Sequence, residues 1–191
     1  ADEDEIVELC KVVSQYGGSY TTHMRSEGDR LLEAIEETIN IGRRTGLPVN
    51  ISHIKVSGKN NWGKSDKILE LINKANEEGI KVTADMYPYK AGATYLISAI
   101  PPQYASIGQA ALIAELENPI FRAQVKEELF NQTEEYENLI SYCGFDGIQI
   151  LSSSKENIIG KTVTQIAQER GKDEFHIFCD LIIESNGSCF C

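Results

Sequence analysis

Thr21-Thr22-His23-Met24-Arg25, Ile51-Ser52-His53-Ile54-Lys55 and Asp85-Met86-Tyr87-Pro88-Tyr89 decide the reading of this chain. Each stretch closes a β-strand-like run in a chain where such runs alternate with helix-like ones. Polar side chains at the ends of successive parallel strands collect on one face of a (β/α) barrel. Outward from these stretches the pattern is regular. Asp4 to Tyr16 places Ile6, Leu9, Cys10 and Val13 at helical spacing and is stopped by Gly17-Gly18. Ser19 to Met24 reads as a short strand. A helix follows from Asp29, with Leu31, Leu32, Ile35 and Ile39, and Gly42 and Gly46 lie near its end. Pro48 to Ile54 is the second strand, and a Gly- and Asn-rich loop runs through Trp62. Ser65 then caps a helix bearing Ile68, Leu69, Leu71 and Ile72. Gly79 closes that helix, and Ile80 to Met86 is the third strand. Strands alternating with helices of this length predict right-handed βαβ crossovers and a parallel sheet.

From about Pro101 the pattern changes. Helical spacing runs over Gln109 to Glu117, Pro119 to Phe130, Thr162 to Arg170 and Asp173 to Ser185, with a solitary strand pattern at Gly147 to Leu151. The predicted organisation is βα units over 1–100 and a mainly helical region over 101–191. Three βα units are too few to close an eight-stranded barrel. The fold class expected is therefore α/β, a partial (β/α) TIM-barrel segment with a mainly helical insertion. The ending Gly187-Ser188-Cys189-Phe190-Cys191, after the turn-forming Asn186-Gly187 pair, announces a further strand and reads as a piece of a larger enzyme.

A chain of 191 residues with 41% hydrophobic content suffices for a real core. Net charge of −11 argues against a nucleic-acid ligand, whose affinity rests on clustered Lys and Arg. No run approaches the ~20 apolar residues of a membrane span. The acidic start Ala1-Asp2-Glu3-Asp4-Glu5 is unlike a secretory signal, so the expected location is cytoplasmic. Five cysteines form no regular framework and are expected to be reduced thiols. Cys189-x-Cys191 without partner cysteines is a weak metal signal.

His23 and His53 carry the chemistry. Either one alone reads as a hydrogen-bonded strand-end histidine, but two of three histidines at the same place in adjacent βα units converge within ångströms of each other. Zinc takes neutral imidazoles at about 2.0 Å, and neighbouring strand ends supply that convergence. This points to metal-assisted hydrolysis. Lys55 is expected on the same face as His53 by strand alternation, where it suits an anionic substrate group. Tyr87-Pro88-Tyr89 places phenols on a proline-fixed backbone. Asp85 reads either as a partner that orients a ligand or as an ordinary capping or solvent-exposed carboxylate. Lys59 to Lys64 reads as a mobile loop over the site, and His176 as a structural residue on a helix face.

At these residues the chain resembles a known family. YTTHMRSEGD, IGRRTGLPVNISHIKVSG, VTADMYPYKAGATYL and IPPQYASIG, continuing through ENPIFRAQVKEEL and GFDGIQILSSS to GKTVTQIAQERGKDEFHIFCDLIIESNG, are similar to the N-acyl-D-amino-acid deacylases of the amidohydrolase superfamily. The resemblance covers nearly the whole chain. It implies that His23 and His53 are zinc ligands at the ends of barrel strands five and six, within βα units spanning strands five to seven. It also implies that Lys55 and Tyr87, with Arg25 as a further residue of the shared motif, bind the carboxylate of an N-acyl-D-amino acid. Ala93 stands where the family often has serine, which puts the usual carboxylate contact in doubt. The family's His-x-His, bridging cysteine and catalytic aspartate have no counterpart in this sequence, so no catalytic base is assigned and the fragment is expected to be inactive, to hold zinc weakly and to self-associate through exposed strand edges. Two other readings stay open: a cyclic amidase fragment of the hydantoinase or dihydroorotase kind, and a non-catalytic binding module.

Overall fold

The computed structural model describes residues 2–131 and 136–191. By internal contacts the chain divides into two units, Ala1–Tyr89 and Lys90–Cys191.

The first unit is the expected βα alternation. Helix α1 (Glu3–Ser14) starts where Asp2 accepts the backbone N–H of Glu5 at 2.8 Å. Strand β1 (Tyr20–Thr22) leads to α2 (Leu31–Thr45), β2 (Val49–Ile51) to α3 (Ser65–Glu77), and β3 (Val82–Ala84) completes the sheet. The three strands are parallel, in the order β1-β2-β3, with Tyr20, Val49 and Val82 in register. They are shorter than the alternating patterns suggest, because the chain turns away directly after Thr22, Ile51 and Ala84. Two expected details are corrected. Ser65 is the first residue of α3 and makes no cap; Lys64 occupies that position. On α1 the packed side chains are Val7, Cys10 and, in part, Ile6, while Leu9 and Val13 face solvent, so the buried stripe overlaps the one read from the 3–4 spacing only at Ile6 and Cys10.

Helices α2 and α3 cover one face of the sheet. Leu31, Ile35, Val49, Ile51, Ile68 and Val82 form the centre of that core. Gly42 lies where α2 runs closest to β2: a Cβ there would stand 3.0 Å from Val49 and 3.2 Å from Ile80. Gly46 takes the left-handed conformation, φ +71, that ends α2.

The opposite face of the sheet is polar. Thr21, Asn50 and Thr83 are in register across the three strands. Thr83 donates to Asn50 Oδ1 at 2.8 Å, and Asn50 donates to Asp85 Oδ2 at 2.8 Å. A parallel sheet ordinarily carries apolar residues on both faces.

The second unit is mainly helical: α4 (Pro102–Ala105), α5 (Gln109–Glu115), α6 (Pro119–Phe130), α7 (Leu139–Cys143), α8 (Val163–Arg170) and α9 (Glu174–Glu184). Of these, α4 and α7 are too short for periodicity to reveal. Helix α8 opens on a reciprocal cap between Thr162 and Gln165. Its core is built around Phe175, Phe178, Leu112, Leu116, Leu129 and Ile150. The pattern at Gly147 to Leu151 makes only an isolated bridge, Gln149 with Thr162. The C-terminal residues pair as an extended segment on both sides: Phe190 bridges Ser152 and Tyr95, and Cys191 exchanges two backbone hydrogen bonds of 2.9 Å with Thr94. None of the described helices is long and apolar enough to cross a membrane.

Candidate metal centre

Adjacent parallel strands bring their C-terminal ends side by side. His23 follows β1 by one residue and His53 follows β2 by two. Their imidazoles meet with His23 Nδ1 3.2 Å from His53 Nε2 and the ring planes at 62°. Two nitrogens bound at 2.0–2.1 Å to one tetrahedral zinc stand about 3.3 Å apart. The histidine pair therefore has the spacing of two ligands to a shared ion.

His53 owes its direction to strained backbone. Its φ of +40 is one of two positive values among non-glycine residues described. Conformations of this kind persist where the surroundings over-determine them. Here Asp85 supplies the constraint: its Oδ1 accepts the backbone N–H of His53 at 2.8 Å, and its own carbonyl accepts Ile54 N–H at 2.8 Å. The His53 amide, followed by Asn50, holds the Asp85 carboxyl below the usual carboxylate range. Asp85 orients the backbone of His53, not its ring. The polar row of the sheet thus ends at the histidine turn.

Glu27 completes the cluster. It lies four residues after His23, in the loop between β1 and α2, and its side chain is 7% exposed. Its Oε1 is 2.9 Å from His53 Nδ1, 3.8 Å from His23 Nδ1 and 2.5 Å from Lys55 Nζ. Among the described residues, His23, Glu27 and His53 are the one group of histidine, cysteine and acidic side chains whose ligand atoms converge, all within 4.8 Å of one another. Sequence reasoning missed Glu27. The available signal was its i+4 spacing from His23 and its place just before the apolar run of α2.

Lys55 reaches the site by a route other than the one expected. The chain leaves the sheet at Ser52, so the His53 turn, not strand alternation, brings Lys55 Nζ to 2.8 Å from His53 Nδ1. The same nitrogen lies 5.6 Å from the centre of the Tyr87 ring. Burial, and then the charge of Glu27, raise the Tyr87 hydroxyl above its ordinary range, which keeps it a proton donor at neutral pH. Arg25 is placed differently. Its guanidinium forms two hydrogen bonds to Glu37 on α2, of 3.0 and 2.7 Å.

The loop at Lys59 to Lys64 is tied down. Asn61 is buried and donates to Asp29 at 2.7 Å and to Ser57 O at 3.0 Å, and it accepts from Lys64. His176 sits at the solvent-facing start of α9 against the capping Asp173, at 3.0 Å. All five cysteines are free. Burial pushes the Cys189 thiol up to about 11 and Cys191 to about 12, which disfavours the thiolates a metal would need.

No family model matches the chain. Three curated relatives from Alcaligenes xylosoxydans xylosoxydans do match about half of it. D-aminoacylase is 48% identical over 96 residues, N-acyl-D-glutamate deacylase 39% over 97 and N-acyl-D-aspartate deacylase 37% over 97. Among solved structures, an N-acyl-D-glutamate deacylase from Bordetella bronchiseptica, complexed with zinc and a phosphonate inhibitor, is similar over all of this chain and 31% of its own, at 25% identity and a TM-score of 0.68. A D-aminoacylase that defines a subset of amidohydrolases matches all of this chain and 30% of its own, at 30% identity and a TM-score of 0.62. The chain spans about a fifth of the length of the curated relatives it matches. Over about half its length the chain is similar in sequence to D-aminoacylase and to N-acyl-D-glutamate and N-acyl-D-aspartate deacylases, and over its whole length it is similar in structure to deacylases of this kind.

Proposed function

We propose that this chain supplies the metal-holding strand ends of a zinc-dependent amidohydrolase that cleaves N-acyl-D-amino acids to a carboxylate and a D-amino acid. The observation that carries the reading is the pairing of His23 Nδ1 and His53 Nε2 at 3.2 Å above a buried carboxylate, on neighbouring parallel strands. The three strands are then part of a (β/α) TIM barrel, and the polar row of Thr21, Asn50 and Thr83 is the face that looks into it. The names of the relatives, all acting on N-acyl-D-amino acids or on D-amino-acid derivatives, support the substrate class.

When bound, zinc polarises an amide carbonyl and acidifies water. The residues of this chain do the rest of what is assigned here. His23 and His53 hold the ion, and Asp85 fixes the turn that aims His53. Lys55, beside His53, and Tyr87, whose ring lies against the Lys55 ammonium, present a cation and a donor to the substrate carboxylate. Arg25 acts through Glu37, holding the segment after β1 against α2. The base that takes the proton from water lies outside this chain, which is inactive by itself. Leu9 and Val12, exposed on α1, and Tyr16 in the turn after it support self-association of the isolated chain, and the free thiols a cytoplasmic setting.

The test is a panel of N-acetyl-D- and L-amino acids with the longer protein carrying this segment. Release of D-amino acid, lost in His23→Ala and His53→Ala, is expected. Hydrolysis of cyclic amides in preference to the linear panel would replace this reading with the hydantoinase-like one. No turnover of either class would leave a binding module.

A further inference from the structure

An imidazole that gives one nitrogen to a metal must carry its proton on the other, and what that second nitrogen touches decides whether the ring is ready to bind. His53 Nδ1 touches two groups with opposite demands. Glu27 Oε1, at 2.9 Å, needs a proton on Nδ1; Lys55 Nζ, at 2.8 Å, can donate only to a bare Nδ1. The two contacts cannot both be hydrogen bonds of one tautomer.

Burial and stiffness decide between them. The Glu27 side chain is 7% exposed and that of Lys55 25%. Glu27 is also fixed by its backbone, since its carbonyl accepts the N–H of Ser57 at 2.8 Å. A bare Nδ1 would set its lone pair against a carboxylate oxygen only 2.9 Å away on a side chain that is buried and anchored, a repulsion that Nδ1–H turns into a hydrogen bond. Lys55, on a flexible four-carbon stem, retains its 2.5 Å contact with Glu27 whichever way the imidazole is protonated, and can turn its remaining protons outward.

We infer that Glu27 is a positioning residue: its carboxylate takes a hydrogen bond from His53 Nδ1–H and so leaves the Nε2 lone pair facing His23, while it also holds Lys55 beside the site. The inference deepens the metal reading above and rests on it for its purpose, though not for its geometry. Glu27 stands on the Nδ1 side of the ring, away from the nitrogen that faces His23, and therefore orients a ligand instead of being one.

The experiment uses the 191-residue chain. Long-range proton–nitrogen NMR correlation, which also distinguishes the doubly protonated ring from both neutral forms, reads the tautomer of His53. The wild type should show Nδ1–H. Glu27→Met, nearly isosteric and without an acceptor, should move the ring toward Nε2–H. Glu27→Gln, which keeps one oxygen acceptor, should restore much of the Nδ1–H form. Cobalt(II) and zinc titrations should show affinity lowered about 10–100-fold in Glu27→Met, with Glu27→Gln in between and the shape of the cobalt spectrum unchanged.

Several outcomes overturn the inference. These are an Nε2–H ring in the wild type, equal affinity in all three proteins, or a cobalt spectrum altered by Glu27→Gln, which would make Glu27 a ligand. If Glu27→Met does not fold by circular dichroism, the wild-type tautomer and the Glu27→Gln titration decide alone. Nδ1–H in the wild type without any metal binding would uphold the role of Glu27 and reject the metal reading. Metal binding that needs both histidines but ignores Glu27 would do the reverse.

Discussion

The two units of the chain place their polar groups oppositely. Lys90–Cys191 fills its interior with Phe175, Phe178 and aliphatic side chains and keeps ion pairs such as Lys126 with Asp173 toward the surface. Ala1–Tyr89 covers one face of its sheet with helices but runs a polar row across the other, ending at a strained histidine and a buried glutamate. Burying an acidic side chain and holding a non-glycine residue at positive φ both cost stability. The first unit bears these costs where its strands end. The second unit also holds Asn186 at φ +49, but among the described residues it gathers no group of three metal-ligating side chains as the first unit does. The contrast separates a region packed mainly with apolar side chains from one whose strand ends gather polar groups.

The contrast would break most visibly at the aromatic core. Phe178→Ala removes a fully buried ring and should destabilise the second unit by about 3–5 kcal/mol in urea or thermal unfolding. A loss below ~1 kcal/mol would mean that the core repacks and that packing is not what this unit is built for.

The histidine pair should respond in the other currency, affinity without stability. His23→Ala is exposed to solvent, so the melting curve should stay close to wild type. Zinc affinity should fall about 100-fold, roughly 2.7 kcal/mol. Equal binding by the variant would show that the ion, if bound, sits elsewhere.

Acid sharpens the comparison for the second unit. Burial raises the Asp180 carboxyl, but hydrogen bonds from Lys172 and Arg122 outweigh it and hold the group below its ordinary value. The unfolded chain then binds the proton more readily. The resulting stability is present above the unfolded value, about 3.9, and is lost as pH falls through the lower folded one. Arg122→Ala should cost about 2 kcal/mol at neutral pH and should flatten the acid limb of a stability–pH curve. An unchanged slope would remove Asp180 from the account.

The smallest effect has the opposite sign. His53→Gly relieves the positive φ and should raise the stability of the first unit by up to about 1 kcal/mol, while zinc binding disappears. Unchanged or lower stability would show that the His53 ring contributes more by packing and hydrogen bonding than its backbone loses.

By itself the sequence determined the order of strands and helices in the first unit, and that His23 and His53 share one end of a parallel sheet. These follow from local rules: apolar spacing, glycine at helix ends, and the side-by-side ends of parallel strands. The tertiary structure alone decided what surrounds the histidines. Glu27 and Lys55 are 28 residues apart, and Asp85 is 32 from His53. No local pattern encodes contacts at such separation. The route of Lys55 depends on one backbone angle at His53, which strand alternation extrapolates wrongly because the strand has already ended at Ile51. Arg25 reads as a site residue from its neighbour in the motif, yet its guanidinium goes to Glu37, since an ion pair forms wherever the helix brings a carboxylate within reach. Residue type and spacing name the groups that could do chemistry; only the packed chain assigns each its partner.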